Sequence, residues 1–442
     1  MVTRPTLRRQ HNMSHVAEIT RSLINEQSVM QFSKSKPWLK SLRSDGINAF
    51  IKDGLPDTNI ENWKYTNLNQ LNGVTGVRSP KVVVNKNQIS WLLNEVETNQ
   101  LVFVNGYFQE YLSKIIDVGQ GIRIAPLCDE LVNSDFIHNY LGKIGSTTGN
   151  PLFALNTAFI EDGCSIVVED CKSVKPLEVI YISNGSNATC HHPRNIIVAR
   201  NNAEINIIER HIGIGDEVYV SNGATEILAE DYSTINHYRV FDDAVNGINL
   251  SSVRAVVKDY SYYNSFVLST GGRLNRCEIN VACAGERANT SLSGVYIARD
   301  KQHMDHTTSI EHLVPNTTSV ENYRGALDGS ARGVFQGSIV VAEGADGTDG
   351  RMSNKNLLLS PKAEVNAKPQ LEIYADDVQC AHGCTTGELD EEALFYLRSR
   401  GISEKNARAI LVEGFLNEAF SGIQEQTILN VFHKKIRDWM VI

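Results

Sequence analysis

The 442-residue chain is 42% hydrophobic and 21% charged, values that are ordinary for a folded protein of two or three domains and exclude long intrinsic disorder. Its net charge of −9 argues against a nucleic-acid surface, because binding to the phosphate backbone requires an excess of Lys and Arg. No run of about 18 apolar residues is present, so no membrane span is predicted.

Residues 1–148 are predicted to form an N-terminal helical and mixed α/β domain. Helix formers dominate its beginning, and Pro37 is predicted to separate two helices. Further on, β-rich runs at Lys81–Val84 and Leu101–Val104 flank a predicted helix at Ile89–Glu97.

Residues 149–387 are predicted to form a β core. Short segments rich in Val, Ile and Thr are separated by Asn, Gly, Asp and Ser, and no useful helical period interrupts them. This pattern excludes a doubly wound α/β sheet. So many short strands favour stacked coils, although a strict repeat is absent, and we predict a mainly β fold with a right-handed parallel β-helix core. A double β-sandwich is the alternative. Val340, in one of these segments, is predicted to face the interior. The clearest strand segments are Glu204–Glu209, Thr225–Ala229, Ser252–Val257, Glu278–Ala282 and Gly337–Ala342.

Residues 388–442 are predicted to form a C-terminal helical domain. Asp390 is placed to cap a helix that ends at Gly401, Ser403 to cap a second helix, and a third follows Gly422. The apolar face of the third helix is large for a terminal helix that lies on a narrow solenoid end. We therefore predict that part of this face binds a partner. The predicted buried positions are Leu394, Phe395 and Leu397 in the first helix, Ala407, Ile410, Leu411, Phe415 and Ala419 in the second, and Ile428, Leu429, Phe432, Ile436, Trp439 and Met440 in the third.

The densest group of metal-ligating residue types is Cys380, His382 and Cys384. Thiolate and imidazole suit zinc, iron and iron–sulfur clusters. In an extended strand all three side chains face one way, but the two cysteines are then roughly 13 Å apart, too far to share one ion. One chain is therefore expected to supply only one or two ligands. The alternative is that both cysteines are small buried residues and that His382 bonds a backbone carbonyl.

Other candidate residues give weaker signals. The group His303, Asp305, His306 and His312 superficially resembles a metal-hydrolase site, but its spacing matches no zincin helix, and we interpret it as satisfied polar residues on a solenoid turn. His191–His192 is interpreted as a loop pair without a role. The sequence contains no P-loop, G-x-S-x-G elbow, H-E-x-x-H or Rossmann fingerprint, so it predicts neither ATP hydrolysis nor another catalytic centre.

Cysteine spacing and the N-terminus bear on the compartment. The eight cysteines are spread thinly, which is typical of reduced thiols in a cytoplasm rather than of a secreted disulfide scaffold. Residues 1–10 carry three arginines but no apolar stretch follows them, so no secretory signal is predicted. A short organellar transit segment is the alternative for these residues.

Two stretches resemble a known family. GLPDTNIENWKYTNL, residues 54–68, is similar to the N-terminal signature of SufD proteins. A longer stretch from Arg324 to Phe420 resembles the domain shared by SufB and SufD, with its densest matches in LLLSPKAEVNAKPQLEIYADDVQCAHGCTTG, residues 357–387, and LFYLRSRGIS, residues 394–403. The resemblance to SufD rather than to its paralogue SufB rests on residues 54–68 and on His382-Gly383-Cys384, because SufB proteins tend to carry acidic residues on both sides of the corresponding histidine.

The resemblance implies a non-catalytic scaffold subunit of the SufBCD complex for iron–sulfur cluster assembly. It implies a heterodimer with SufB through the β-helix and C-terminal helices that dock the ABC-type ATPase SufC. No cofactor is expected to be held stably by this chain alone, but His382 matches a candidate ligand for a transient cluster at the SufB interface, with Cys380 two residues away. The alternatives are a SufB-like paralogue, a homodimeric scaffold and a β-helical carbohydrate-active enzyme.

Overall fold

The computed structural model describes residues 5–30, 35–71, 73–93, 98–115, 119–171, 175–185 and 188–441. In these parts of the chain, two ten-stranded sheets face each other and form a solenoid, and helices cover its flanks. The helices are α1 (Pro5–Val29), α2 (Pro37–Asp53), α3 (Ser90–Leu93), α4 (Leu127–Asn133), α5 (Pro151–Ala158), α6 (Glu391–Ser399), α7 (Glu404–Asn417) and α8 (Gln426–Val441). The strands are β1 (Asn99–Val104), β2 (Tyr107–Phe108), β3 (Ile122–Pro126), β4 (Cys164–Val168), β5 (Leu177–Asn184), β6 (Cys190–His191), β7 (Arg194–Ala199), β8 (Glu204–Ile214), β9 (Tyr219–Ala229), β10 (Thr234–Asp242), β11 (Gly247–Val257), β12 (Tyr262–Ser269), β13 (Leu274–Cys283), β14 (Asn289–Ala298), β15 (His303–His312), β16 (Thr318–Leu327), β17 (Arg332–Val341), β18 (Asp349–Leu358), β19 (Glu364–Ile373) and β20 (Gln379–Gly387).

Each coil of the solenoid contributes one strand to each sheet. The first sheet runs through β8, β10, β12, β14, β16, β18 and β20, and the second through β9, β11, β13, β15, β17 and β19, with all of these neighbours parallel. Tyr262 lies beside Asn289 and Asn289 beside Thr318, so one coil takes roughly 30 residues. The spacing differs from coil to coil, which explains the missing strict repeat. The predicted parallel β-solenoid is confirmed, and the double sandwich is wrong.

The solenoid interior is filled by alternate side chains of both sheets. In β17, Ile339 and Val341 are fully buried in this core, whereas Val340 between them is half-buried on the outer face. The predicted inward orientation of Val340 is therefore wrong. The half-buried outer position also carries an apolar residue, so the run Ile339-Val340-Val341 does not alternate with polar residues and the sequence does not reveal the register.

The N-terminal region packs on the outer face of the second sheet. Phe50 and Trp63 form one apolar cluster with Leu250 of β11 and Leu274 of β13. The predicted break between the first two helices is present, because α1 ends at Val29 and α2 begins at Pro37. The outer face of this sheet is thereby closed to solvent where the cluster lies.

Two local predictions along the chain differ from the structure, and a third, a helix, is present in the part that the structure describes. Residues 81–84 form no strand, whereas Leu101–Val104 lies within β1 as predicted and pairs with β5 of the solenoid. The helix predicted at Ile89–Glu97 is represented by α3, and residues 94–97 lie outside the described part of the chain. The region expected to lack helices contains one, α5, which begins at Pro151.

The C-terminal helices pack on the outer face of the first sheet. Phe432 of α8 stacks on Phe266 of β12 with ring centroids 4.9 Å apart, and Ile428 and Ile436 are buried in the same cluster. The apolar face of α8 therefore lies on the flank of the solenoid rather than on its end, and the prediction that it is left for a partner is corrected. Leu429, Trp439 and Met440 are partly buried against the same cluster.

The predicted caps of these helices are present. The Asp390 carboxylate accepts backbone N–H groups at the start of α6, and the Ser403 hydroxyl does so at the start of α7. The predicted faces are partly wrong, because Phe395 and Ile410 are 73% and 48% exposed, whereas Val412 is fully buried. Among the described helices, none combines the length and apolar character needed to span a membrane.

Candidate functional site

The solenoid ends in two strands that have a neighbour on one side only. β19 pairs with β17 and is the last strand of the second sheet, and β20 pairs with β18 and is the last strand of the first. No described residue pairs with their outer edges, so a row of backbone N–H and C=O groups is free to pair with another chain. We call the surface formed by β19 and β20 the open end.

Cys380, His382 and Cys384 lie on β20 at alternate positions, on the face that continues the solenoid interior. Their neighbours in β18 are Gly350, Met352 and Asn354, respectively. These three residues are buried. The predicted arrangement on one face of an extended strand is confirmed. The two cysteines are half-buried against the interior core, whereas His382 is exposed. Neither ring nitrogen of His382 has a hydrogen-bond partner among the described residues, so the alternative bond to a carbonyl is not formed.

The chemistry of the three side chains follows from this placement. Burial raises the pKa of the Cys380 and Cys384 thiols, so both are protonated at neutral pH, and a metal must displace their protons before it binds. The described residues contain no group of three or more His, Cys, Asp or Glu side chains that could hold a metal ion. The chain thus presents separate potential ligands along one strand.

The second group of polar residues is divided between the two faces of β15. His303 and Asp305 point outward, where Asp305 accepts hydrogen bonds from Thr66 and Arg276. His306 and His312 point inward, and burial lowers their pKa values to about 3 and about 4. The group lies on a strand rather than on a turn, and alternation separates its members, so they do not form one metal centre.

The histidine pair His191–His192 is buried rather than in an exposed loop. His191 ends β6, and the hydroxyl of Ser183 lies 3.0 Å from its Nε2. His192 stacks on Phe159 with ring centroids 4.5 Å apart. Burial lowers the pKa of both rings to about 3, so they serve as neutral core residues. All eight cysteines are free thiols.

The sequence analysis missed a polar cluster inside the solenoid. Glu209 accepts hydrogen bonds from His211 Nε2 at 2.6 Å and from His237 Nε2 at 2.9 Å. Burial disfavours the charged form of Glu209, but the two histidines outweigh it and lower its pKa. The alternation of side chains along β8 could have revealed this cluster in the sequence. Glu209 and His211 continue the alternate positions of Ile205 and Ile207, which face the interior.

A second interior carboxyl group, Glu321 of β16, lies close to the open end. Its side chain is 1% exposed, and its Oε2 accepts a hydrogen bond from Thr308 at 2.6 Å. Burial raises the pKa of Glu321 to about 8, although the bond from Thr308 opposes the shift. Glu321 is therefore mostly protonated at neutral pH.

Glu321→Gln is expected to remove part of the pH dependence of stability. The folded chain keeps a proton that the unfolded chain loses above about pH 4.5, so the free energy of unfolding falls as pH rises towards about 8. The histidines are the same in both proteins, so their effect cancels, and between pH 6.5 and 8 we expect the wild type to lose about 1–2 kcal/mol relative to Glu321→Gln. Urea denaturation at several pH values measures this difference, and parallel curves for the two proteins would contradict it.

The described part of the chain is thus a parallel solenoid that carries separate Cys and His side chains along the last strand of its first sheet. Residues 181–415 match the SufBD core domain of SUF system FeS cluster assembly, and residues 16–179 match the SufBD protein N-terminal region. The chain therefore belongs to the SufBD family of iron–sulfur cluster assembly proteins.

Individual relatives agree with this assignment. The chain is 28% identical over 424 residues to an iron-sulfur cluster assembly SufBD family protein of Synechocystis sp., covering 92% of this chain and 93% of the relative. It is 28% identical over 392 residues to the iron-sulfur cluster assembly protein SufD of Escherichia coli, covering 86% and 88% of the two chains. A chloroplastic protein of Arabidopsis thaliana, ABCI7, is 25% identical over 427 residues, with 93% and 88% covered.

Proposed function

We propose that this chain is the SufD-type, non-catalytic subunit of a SufBCD complex. In this proposal the open end pairs with SufB, His382 contributes a ligand to a cluster that forms transiently at that junction, and the C-terminal helices bind the ATPase SufC. The single observation that carries the proposal is the exposed His382 on an edge strand whose outer hydrogen-bonding groups are unpaired. Membership of the SufBD family supports it.

The open end has the character of a surface that another chain covers. Ile373 and Tyr374, at the end of β19, are 42% and 63% exposed, and Val365 and Leu371 of the same strand are half-buried. An exposed, regular edge with apolar side chains promotes aggregation unless it is paired. A partner strand along β19 or β20 would satisfy the free backbone groups and bury these side chains. SufB is the partner we assign, and a second copy of this chain is the competing occupant.

His382 is the side chain we assign to the nascent cluster. Its imidazole is exposed and has no partner in the described chain, so both ring nitrogens are available to iron. Cys380 is the second candidate, but its thiol is half-buried and its raised pKa disfavours the thiolate. Because β20 does not gather a complete ligand set, the remaining ligands come from SufB in this proposal. The cluster is then cargo rather than a resident cofactor.

His382→Ala is expected to lower cluster assembly while leaving the complex intact. One exposed side chain outside an interface hot spot contributes little to association, whereas loss of a ligand removes a bond to iron. We expect the iron and sulfide content of the co-expressed three-subunit complex to fall at least about threefold, with complementation of a strain lacking this subunit reduced in parallel.

The neighbouring cysteines provide matched controls on the same strand. Cys380→Ala and Cys384→Ala are expected to have weaker effects, because half-buried thiols contribute mainly to packing. Full cluster content and full complementation by His382→Ala in an assembled complex would contradict the ligand role. Loss of the complex itself would instead show that His382 acts in association with SufB.

The exposed face of α6 is the surface we assign to SufC. Because α8 buries its apolar face on the solenoid, the large exposed apolar side chains of the described C-terminal helices are Phe395 and Tyr396 of α6 and Ile410 of α7. Phe395 and Tyr396 are 73% and 56% exposed and adjacent in sequence. Aromatic side chains of this kind are enriched at the centres of protein interfaces.

Phe395→Ser is expected to weaken SufC binding at least tenfold without unfolding the chain, because truncation of an interface aromatic costs on the order of 2 kcal/mol. Tyr374→Ser at the open end is the matched control, since it also removes one exposed aromatic ring. Pull-down titrations with SufC and SufB should show opposite losses, with Phe395→Ser affecting SufC and Tyr374→Ser affecting SufB. Equal losses of both partners in either variant would contradict the separation of the two surfaces.

A further inference from the structure

A cavity of about 820 Å³ lies on the flank of the solenoid, away from the open end. It is formed where the last turns of α8 pass the turns that follow β10, β12 and β14, and two further strands of that sheet, β16 and β18, separate it from β20. Trp439 of α8 forms part of its wall. The volume is in the range of small-molecule sites, which is roughly 300–1,000 Å³.

Two arginines that line the cavity have no carboxylate within ion-pair distance in the described chain. Arg273 donates a hydrogen bond to the backbone carbonyl of Gln70, and its Nε has no acceptor there. Arg299 donates to the backbone carbonyl of Trp439, and its guanidinium carbon lies 4.6 Å from the centre of the Trp439 ring. Both guanidinium groups are partly buried, so their charge is incompletely solvated, and only Arg299 is partly offset, by the nearby Asp300 and Asp328 without an ion pair.

The other charges at the cavity reinforce this imbalance. Lys435 is paired with Asp242, and Asp438 is paired with Lys434 at 3.0 Å. The lining that is not paired in this way consists of the cations Arg273, Arg299 and Lys301 and the single carboxylate Asp300. This local positive charge contrasts with the net charge of −9 of the whole chain.

Three buried arginines elsewhere in the solenoid are neutralised by carboxylates, whereas the fully buried Arg239 has no carboxylate within ion-pair distance in the described chain. Arg194 is paired with Glu226 at 2.5 Å, Arg210 with Glu178 at 3.0 Å, and Arg276 with Asp305. The fold thus supplies an ion-pair partner at these three positions but places none within ion-pair distance of Arg273 or Arg299 in the described chain. A countercharge from outside the chain would complete the cavity in the same way.

We propose that this cavity binds the oxyanion group, phosphate or carboxylate, of a small molecule. Guanidinium groups recognise such groups through paired, charge-assisted hydrogen bonds. Arg273 and Arg299 would neutralise the anion, Lys301 at the rim would add a third donor, and the space beside Trp439 would hold the rest of the molecule. The site is separate from the open end, and its occupancy does not depend on SufB or SufC.

Titration of the full chain with pyrophosphate and with citrate tests this site, with sodium chloride at equal ionic strength as the control. We expect a saturable rise in melting temperature and a change in tryptophan fluorescence with one or both probes. Arg273→Gln is expected to weaken the affinity at least about tenfold, which corresponds to the loss of a charge-assisted hydrogen bond. Preference for pyrophosphate identifies a phosphate ligand, and preference for citrate a carboxylate ligand.

Two further variants keep the test decisive if Arg273→Gln folds poorly. Lys301→Gln removes an exposed cation from the rim and should weaken binding without loss of stability, whereas Arg351→Gln removes an exposed cation near the open end and should bind as the wild type does. No saturable response to either probe, or equal affinity in Lys301→Gln and Arg351→Gln, would overturn the proposal. Binding of an acidic peptide in place of both probes would also overturn it, because the partner would then be a protein.

Discussion

Ile339→Lys is expected to unfold the solenoid, whereas Val340→Lys, at the next position, is expected to leave it folded. The Ile339 side chain is fully buried between the two sheets in the last coils before the open end. A lysine there would place an unpaired ammonium group in an apolar core and overfill it, at a cost of several kcal/mol. That cost is comparable with the whole free energy of unfolding of a typical domain.

Val340 provides the matched control because it differs from Ile339 in the direction of its side chain. It is half-buried on the outer face, and its neighbours in β15 and β19 are Glu311 and Glu372. A lysine at position 340 can extend into solvent and interact with both carboxylates. The free energy of unfolding of Val340→Lys should therefore lie within about 0.5 kcal/mol of the wild-type value. Thermal and urea denaturation measure the difference. Similar stabilities for the two variants, or greater loss in Val340→Lys, would contradict the strand register.

This pair of residues shows why the fold class was predictable and the register was not. Strand signals come from local composition, and the segments of the β core rich in Val, Ile and Thr were correctly assigned, whereas the Val-rich residues 81–84 form no strand. Register instead depends on which face is buried, and the run Ile339-Val340-Val341 contains no alternation because the half-buried outer position 340 also carries an apolar residue. A register error of one residue exchanges the interior and the exterior of a strand.

The C-terminal helices show the same difference: their caps could be predicted from local sequence, whereas their buried faces depend on tertiary packing. The caps at Asp390 and Ser403 were predicted because a cap is specified by the few residues around it. The buried face predicted for the second helix is correct at Ala407 and wrong at Ile410, and α7 also buries Val412 and Leu416. Both patterns have helical spacing, and only the position of the first sheet beneath the helix decides between them.

For the candidate site, the sequence supplied candidate residues and their shared strand face, but not the surface on which they lie. The motif around His382 pointed to cluster chemistry, and alternation placed its three side chains on one face. That β20 is an edge strand depends on where the stack of coils stops, which no residue of the motif encodes. The interior cluster around Glu209 was missed because its members come from β8 and β10, and they meet only after the coils stack.

The ion pair between Arg194 and Glu226 couples the solenoid to the N-terminal region. Both side chains are fully buried, and Arg194 Nη2 donates to Glu226 Oε1 at 2.5 Å. Glu226 also accepts the backbone N–H groups of Gly142 and Ile144 at 2.9 Å and 3.0 Å, while Arg194 donates to Asn156 Oδ1 at 3.0 Å. One carboxylate therefore neutralises a buried guanidinium and also holds a loop of the covering region.

Glu226→Ala is expected to cost about 3–5 kcal/mol, because it leaves the Arg194 charge buried without its partner and removes the acceptor of several backbone N–H groups. Replacing both residues, as in Arg194→Met with Glu226→Ala, should recover part of this loss, since no unpaired charge then remains. Glu226→Gln, which keeps the acceptor oxygen but not the charge, should fall between the wild type and Glu226→Ala. Urea denaturation of the wild type, Glu226→Ala, Arg194→Met and the double variant gives the coupling energy of the pair. A loss below about 1 kcal/mol in Glu226→Ala, or strictly additive effects in the double variant, would show that Arg194 finds another partner and that the pair does not fasten the N-terminal region to the solenoid.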